Sequence, residues 1–99
     1  MSTPARRASS NVFRDLGFHP EEAEHLKIRA DLMIELTKLI RARDLTQARA
    51  ARLFGVSQPR ISDLVRGKFD RFSVDSLIEM LGHAGARVSV RVTSRKRVA

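Results

Sequence analysis

The stretch Thr46–Gly67, TQARAARLFGVSQPRISDLVRG, restricts the possible folds of this chain more than any other. Thr46 is a helix N-cap by type, and nothing after it breaks a helix until about Phe54. Gly55 can take the left-handed geometry that ends a helix, and Ser57 can cap a new one running to Arg66, which Gly67 stops in turn. Pro59 falls in the first turn of that second helix, where its missing N–H costs nothing. So short a turn makes the two helices cross steeply, and a close crossing needs small side chains at the contact. Ala50 and Ala51 supply them, Val56 plugs the corner, and Ile61, Leu64 and Val65 form one apolar face of the second helix.

The rest of the chain builds a small domain around this pair. Pro20 suits the first turn of a long helix to Arg43, with Glu21, Glu22 and Glu24 at its positive end and Lys38, Arg41 and Arg43 at its negative end. Leu26, Ala30, Met33, Leu36 and Ile40 recur along it at spacings of three and four. Ser73 caps a further helix from Val74 to about Ala84, closed by Gly85. The period then changes, because ARVSVRV (Ala86–Val92) alternates strictly and reads as a strand. The expected fold is all-α, four to five helices with one C-terminal strand. It divides into a flexible N-terminal arm (1–19), a helical domain (20–85), a dimerisation strand (86–92) and a basic tail (93–99). With five Phe and no Trp or Tyr, the core must be mainly aliphatic.

Composition narrows the function. The 99 residues carry 19 Lys+Arg against 11 Asp+Glu, a net charge of +8 that favours a polyanionic partner. From Lys38 to Phe72 there are nine basic residues and three acids, so most of the excess surrounds the paired helices. There is no cysteine, hence no disulfide and no thiolate metal site, which fits a reducing, cytoplasmic setting. No apolar run reaches the length of a membrane span, and the N-terminus lacks the apolar core of a secretory signal, so no membrane partner is expected. His19, His25 and His83 are scattered, and no spacing supports a nucleophilic triad, so no enzyme is expected. HPEEAEH (His19–His25) lacks a zinc-ligand spacing, and its acids have a sufficient reason in the helix dipole. No metal or other cofactor is expected. RNA recognition is poorly supported, since neither an aromatic stacking motif nor a GXXG loop is present.

The paired helices form a helix-turn-helix, and the arrangement resembles the lambda-repressor/Cro-like (XRE) class of DNA-binding domains. In that comparison Gln47 opens the first motif helix, Ala51 and Gly55 take the small positions, and Phe54, Val56, Ile61 and Leu64 take the apolar ones. A second helix presented N-terminus first to the major groove offers Gln58 and Arg60 to base edges, where Gln suits adenine and Arg guanine. Ser62 and Asp63 complete the expected base-contact set, and Gln47, Ser57, Arg66, Lys68 and Arg71 the expected phosphate contacts. The bland alternative for each is solvated surface.

The flanks narrow the likeness. NVFRDLGF, the acidic-then-apolar helix, LTQARAARLFGVSQPRISDLVRGK, FDRFSVDSLIEMLGHAG and the final ARVSVRV together resemble HigA-type antitoxins over roughly Asn11–Val92. The resemblance implies a protein that represses its own operon and neutralises a small mRNA-cleaving toxin of the RelE/HigB kind. The alternative is an XRE-type regulator with no toxin partner. Val12, Phe13, Leu16 and Phe18 are apolar residues ahead of the first long helix. They read either as a lid on the domain's own core or as an arm that orders on a partner, which the resemblance makes the toxin. A lone strand leaves its backbone groups unpaired, so Val88, Val90 and Val92 are expected to mark a homodimer contact and the operator to be palindromic.

Overall fold

A computed structural model describes residues 11–94, and among them the chain is all-helical. The order is α1 (Val12–Asp15), α2 (Pro20–Ala42), α3 (Gln47–Phe54), α4 (Gln58–Val65), a 3-10 turn (Phe69–Arg71) and α5 (Val74–His83). The expected mobile start, 1–10, and the end of the basic tail, 95–99, lie outside the described residues. No helix among those described is long and apolar enough to cross a membrane.

The helix boundaries follow the local chemistry. Thr46, Ser57 and Ser73 each occupy an extended N-cap position and accept a hydrogen bond from a first-turn N–H. Ser73 also shares a reciprocal capping box with Ser76. Gly55 ends α3 at φ +72°, a left-handed geometry that a residue with a Cβ resists.

Around these ends α2 packs on α5 and α3 on both α4 and α5. Their shared core joins Met33 and Leu36 of α2, Ala50, Ala51 and Phe54 of α3, Ile61 and Leu64 of α4, Phe72, and Leu77, Met80 and Leu81 of α5. Ala50 is fully buried and Ala51 nearly so, as a close crossing of α3 and α4 demands. Val65, expected on the inward face of α4, is instead 43% exposed. It lies roughly 70° around the helix from the mean direction of Ile61 and Leu64. There it edges an open groove against Ile34 of α2.

Two expectations at the flanks change. Residues 12–18 are folded onto the domain. Asn11 Oδ1 accepts from the Phe13 N–H at 3.0 Å, while Asn11 Nδ2 donates to the Ala23 carbonyl at 3.1 Å. Phe13 is buried with Ala23 and Leu26, and its ring meets Phe69 edge-on at 5.3 Å and Phe18 at 6.0 Å. Burying one large aromatic ring offsets the entropy of ordering so short a segment. At the other end, no strand forms among the described residues, and 86–94 have no regular structure. A single extended segment has no ladder partner among the described residues. Ala86 and Val88 are half-buried against Leu32, Leu39 and Leu81, whereas Val90 and Val92 are 78% and 88% exposed.

Candidate nucleic-acid interface

The turn between α3 and α4 fixes how α4 is presented. The Val56 N–H donates to the Ala51 carbonyl at 2.9 Å, closing the α3 end around Gly55. His83, at the end of α5, lies against that glycine: a Cβ at position 55 would sit 3.3 Å from His83 Nε2. Ser57 then starts α4, with its hydroxyl accepting from the Arg60 N–H at 3.4 Å. Gln58 and Pro59 are left exposed at the N-terminal tip. The positive end of the dipole faces outward there, an arrangement suited to an anionic backbone, although Pro59 has no N–H and the Arg60 N–H is taken by Ser57.

The other expected contact residues fall into two groups. Gln47 is exposed at the first position of α3, Arg66 is exposed at the C-cap of α4, and Ser62 and Lys68 are half-buried beside them in sequence. Arg49 and Arg52 extend the cationic surface along α3. The ion pairs among the described residues are Lys27–Asp31 and Lys38–Glu35 on α2, and Arg71–Asp63. The cations of α3 and Arg66 are therefore not neutralised by any described acid.

The second group is a network. Arg60 is turned away from the helix tip: its Nη1 donates to the Arg71 carbonyl at 2.8 Å, and its guanidinium lies 4.3 Å from the centre of the Phe72 ring. This differs from the expectation of a free guanine-reading side chain. The reason is local, because an aromatic face and a bare carbonyl are both within reach and both favour a guanidinium. Asp63 and Arg71, expected to meet a base and a phosphate, meet each other at 3.4 Å. The Lys68 N–H also donates to the Asp63 carbonyl at 3.0 Å.

Arg29 of α2 holds the same turn. Its Nη1 donates to the Phe69 and Phe72 carbonyls, both at 3.1 Å, and its buried Nε has no partner among the described residues. Sequence reasoning missed this residue. The signal was present, since Arg29 follows Leu26 by three and precedes Met33 by four, the spacing of a core position. Arg43 was read only as a dipole partner, yet its Nη2 donates to the Ala84 carbonyl at 3.4 Å and ties α2 to the end of α5.

The apolar residues of the N-terminal segment adjoin the 3-10 turn through Phe13, which packs on Phe69. Val12 and Leu16 are exposed at 55% and 70%, and Phe18 is half-exposed at 37%, while Phe13 belongs to the core. No three His, Cys, Asp or Glu side chains converge to hold a metal ion among the described residues.

With this geometry established, a family model described as a helix-turn-helix domain matches residues 12–93. The chain belongs to that family. The helix-turn-helix match begins at Val12, so α1 is part of the family's domain and not an appendage to it. A presented α4, a cationic surround and family membership together make this helix-turn-helix protein a DNA-binding regulator. No curated protein matches the chain.

Proposed function

We propose that this regulator is a sequence-specific repressor of the antitoxin type, one that reads a palindromic operator as a homodimer and also captures a small mRNA-cleaving toxin. The exposed, acid-free tip of α4 carries the DNA half of this reading. Gln58 is the base reader, with adenine its best partner, and Ser62 and Asp63 contact neighbouring bases. Gln47, Ser57, Arg66 and Lys68 grip phosphates and set the register. Two copies joined near Val88, Val90 and Val92 place two recognition helices about 34 Å apart. In this reading the protein acts on DNA in the cytoplasm.

The toxin half rests on the sequence resemblance and on one surface. Val12, Leu16 and Phe18 are exposed around the buried Phe13 anchor, on elements that do not include α4. A partner seated there leaves the DNA-reading helix free. The second reading, a stand-alone regulator, is favoured by Phe13 itself, which serves the protein's own core. Two measurements separate them. Selection from a random duplex library should return a palindrome, and the protein should co-purify with the product of the adjacent reading frame and suppress its toxicity. A palindrome with no toxic neighbour establishes the stand-alone regulator, and failure to enrich any sequence removes both readings.

A further inference from the structure

The pairing of Asp63 with Arg71 places an acid from the recognition helix on a cation otherwise free to grip the DNA backbone. We infer that Asp63 is a specificity-determining residue that holds Arg71 off the phosphates until a matching base replaces it. The inference rests on the DNA-reading role proposed for α4.

Three observations carry it. First, the contact is one-sided in exposure: the Asp63 side chain is 18% exposed and that of Arg71 is 55%, with 3.4 Å between Nη1 and Oδ2. The acid is the more enclosed partner, and the cation has open solvent to move into. Second, the backbone on both sides of the pair is braced. The Asp63 carbonyl accepts from the Lys68 N–H at 3.0 Å, and the Arg71 carbonyl accepts from Arg60 Nη1 at 2.8 Å. Only the Arg71 side chain needs to move. Third, Asp63 is the sole acid on α4, in a segment otherwise dominated by cations. An acid there weakens attraction to any duplex, so its presence calls for a compensating use.

The chemistry of the groove supplies one. A carboxylate accepts from the N4 amine of cytosine and is repelled by the acceptor edges of guanine and by O4 of thymine. At a matching base Asp63 exchanges Arg71 for that amine, and Arg71 swings to a phosphate. At a mismatched base the pair stays closed and the phosphate contact is not made. Readout of one base is thereby coupled to one backbone contact, and non-specific binding, which depends on phosphates alone, is held down.

The test compares four full-length proteins: the wild type, Asp63→Asn, Arg71→Ala and the double variant. Each is titrated over a range of salt against a duplex selected by the wild type from a random library and against its scrambled version. Asp63→Asn should bind the scrambled duplex about 3- to 10-fold more tightly, with a salt slope steeper by roughly one contact per subunit. It should also shift the preferred base at one position from cytosine toward adenine, which an amide favours. Arg71→Ala should leave scrambled binding almost unchanged in the wild-type background and abolish the gain in the Asp63→Asn background. The inference is overturned if Asp63→Asn does not strengthen scrambled binding, or if Arg71→Ala weakens it equally in both backgrounds. A wild-type protein that selects no duplex refutes the DNA-reading role itself, a separate outcome.

Discussion

Gly55 and Gln58 sit three residues apart, yet one serves the fold and the other the surface. At Gly55 two penalties could oppose a side chain, the φ of +72° and the 3.3 Å approach of His83 Nε2. The imidazole is exposed and can swing aside, so the backbone term decides. Gly55→Ala should cost about 1–2 kcal/mol in urea denaturation, and His83→Ala in the same chain should restore little of it. Gln58 makes the opposite case, being exposed at the tip of α4. Gln58→Ala should leave the melting temperature unchanged, cost roughly 1–3 kcal/mol on the selected duplex and relax preference at one base. Arg60 was expected to behave like Gln58, but without DNA it is engaged by the Arg71 carbonyl and the Phe72 ring, which favours a bracing role. Arg60→Ala should lower thermal stability and weaken selected and scrambled duplexes alike. A loss confined to one base position, with stability intact, would return Arg60 to the base-reading set.

At the scale of elements, what was legible in the sequence is what local chemistry determines. Thr46, Ser57 and Ser73 cap the helices they were expected to cap, and Gly55 ends α3 as its type suggested. The long α2 and the α3–α4 pair followed from apolar spacing and from the two alanines. What escaped was set by distant partners. The four residues of α1 are too few to show a period, and they are held by Phe69 against Phe13, a contact no local pattern announces. The 3-10 turn depends likewise on Arg29 and Arg60, reaching in from two other helices. Arg60, Asp63 and Arg71 were each identified singly as candidate contacts, whereas the fold engages them with one another, a pairing that no local spacing announces. The N-terminal segment is structural at Phe13 and exposed at Val12 and Leu16. Phe13→Ala should destabilise the domain by about 3 kcal/mol, the low end for a buried Phe because the cluster is small and near the surface. Leu16→Asp, at a position 70% exposed, should leave stability unchanged while abolishing the toxin capture proposed for this surface. Full neutralisation by Leu16→Asp would move the toxin site elsewhere.

Across the whole molecule, the C-terminal segment is covered at its start and exposed beyond Val88. Ala86 and Val88 are already half-buried against α2 and α5, so deleting everything after Gly85 would damage the monomer as well as any dimer. Val90 and Val92 offer a cleaner probe, because at 78% and 88% exposure they contribute little to the single chain. Two apolar side chains left this open, on alternate positions of a segment with no ladder partner, are what pairing with a second copy would bury. In the proposed dimer, a two-fold axis through that contact would make the interface self-complementary, with each extended segment supplying the other's backbone partners. Val90→Asp with Val92→Asp should therefore preserve helicity and melting behaviour at low concentration. It should also convert a dimer to a monomer in sedimentation, since four carboxylates would crowd one small apolar contact. Binding to the palindrome should fall steeply, while binding to a single half-site should change little, because α4 is untouched. A variant that sediments as a dimer, or a wild type that is already monomeric on its palindrome, would mean that the two half-sites are joined through another face.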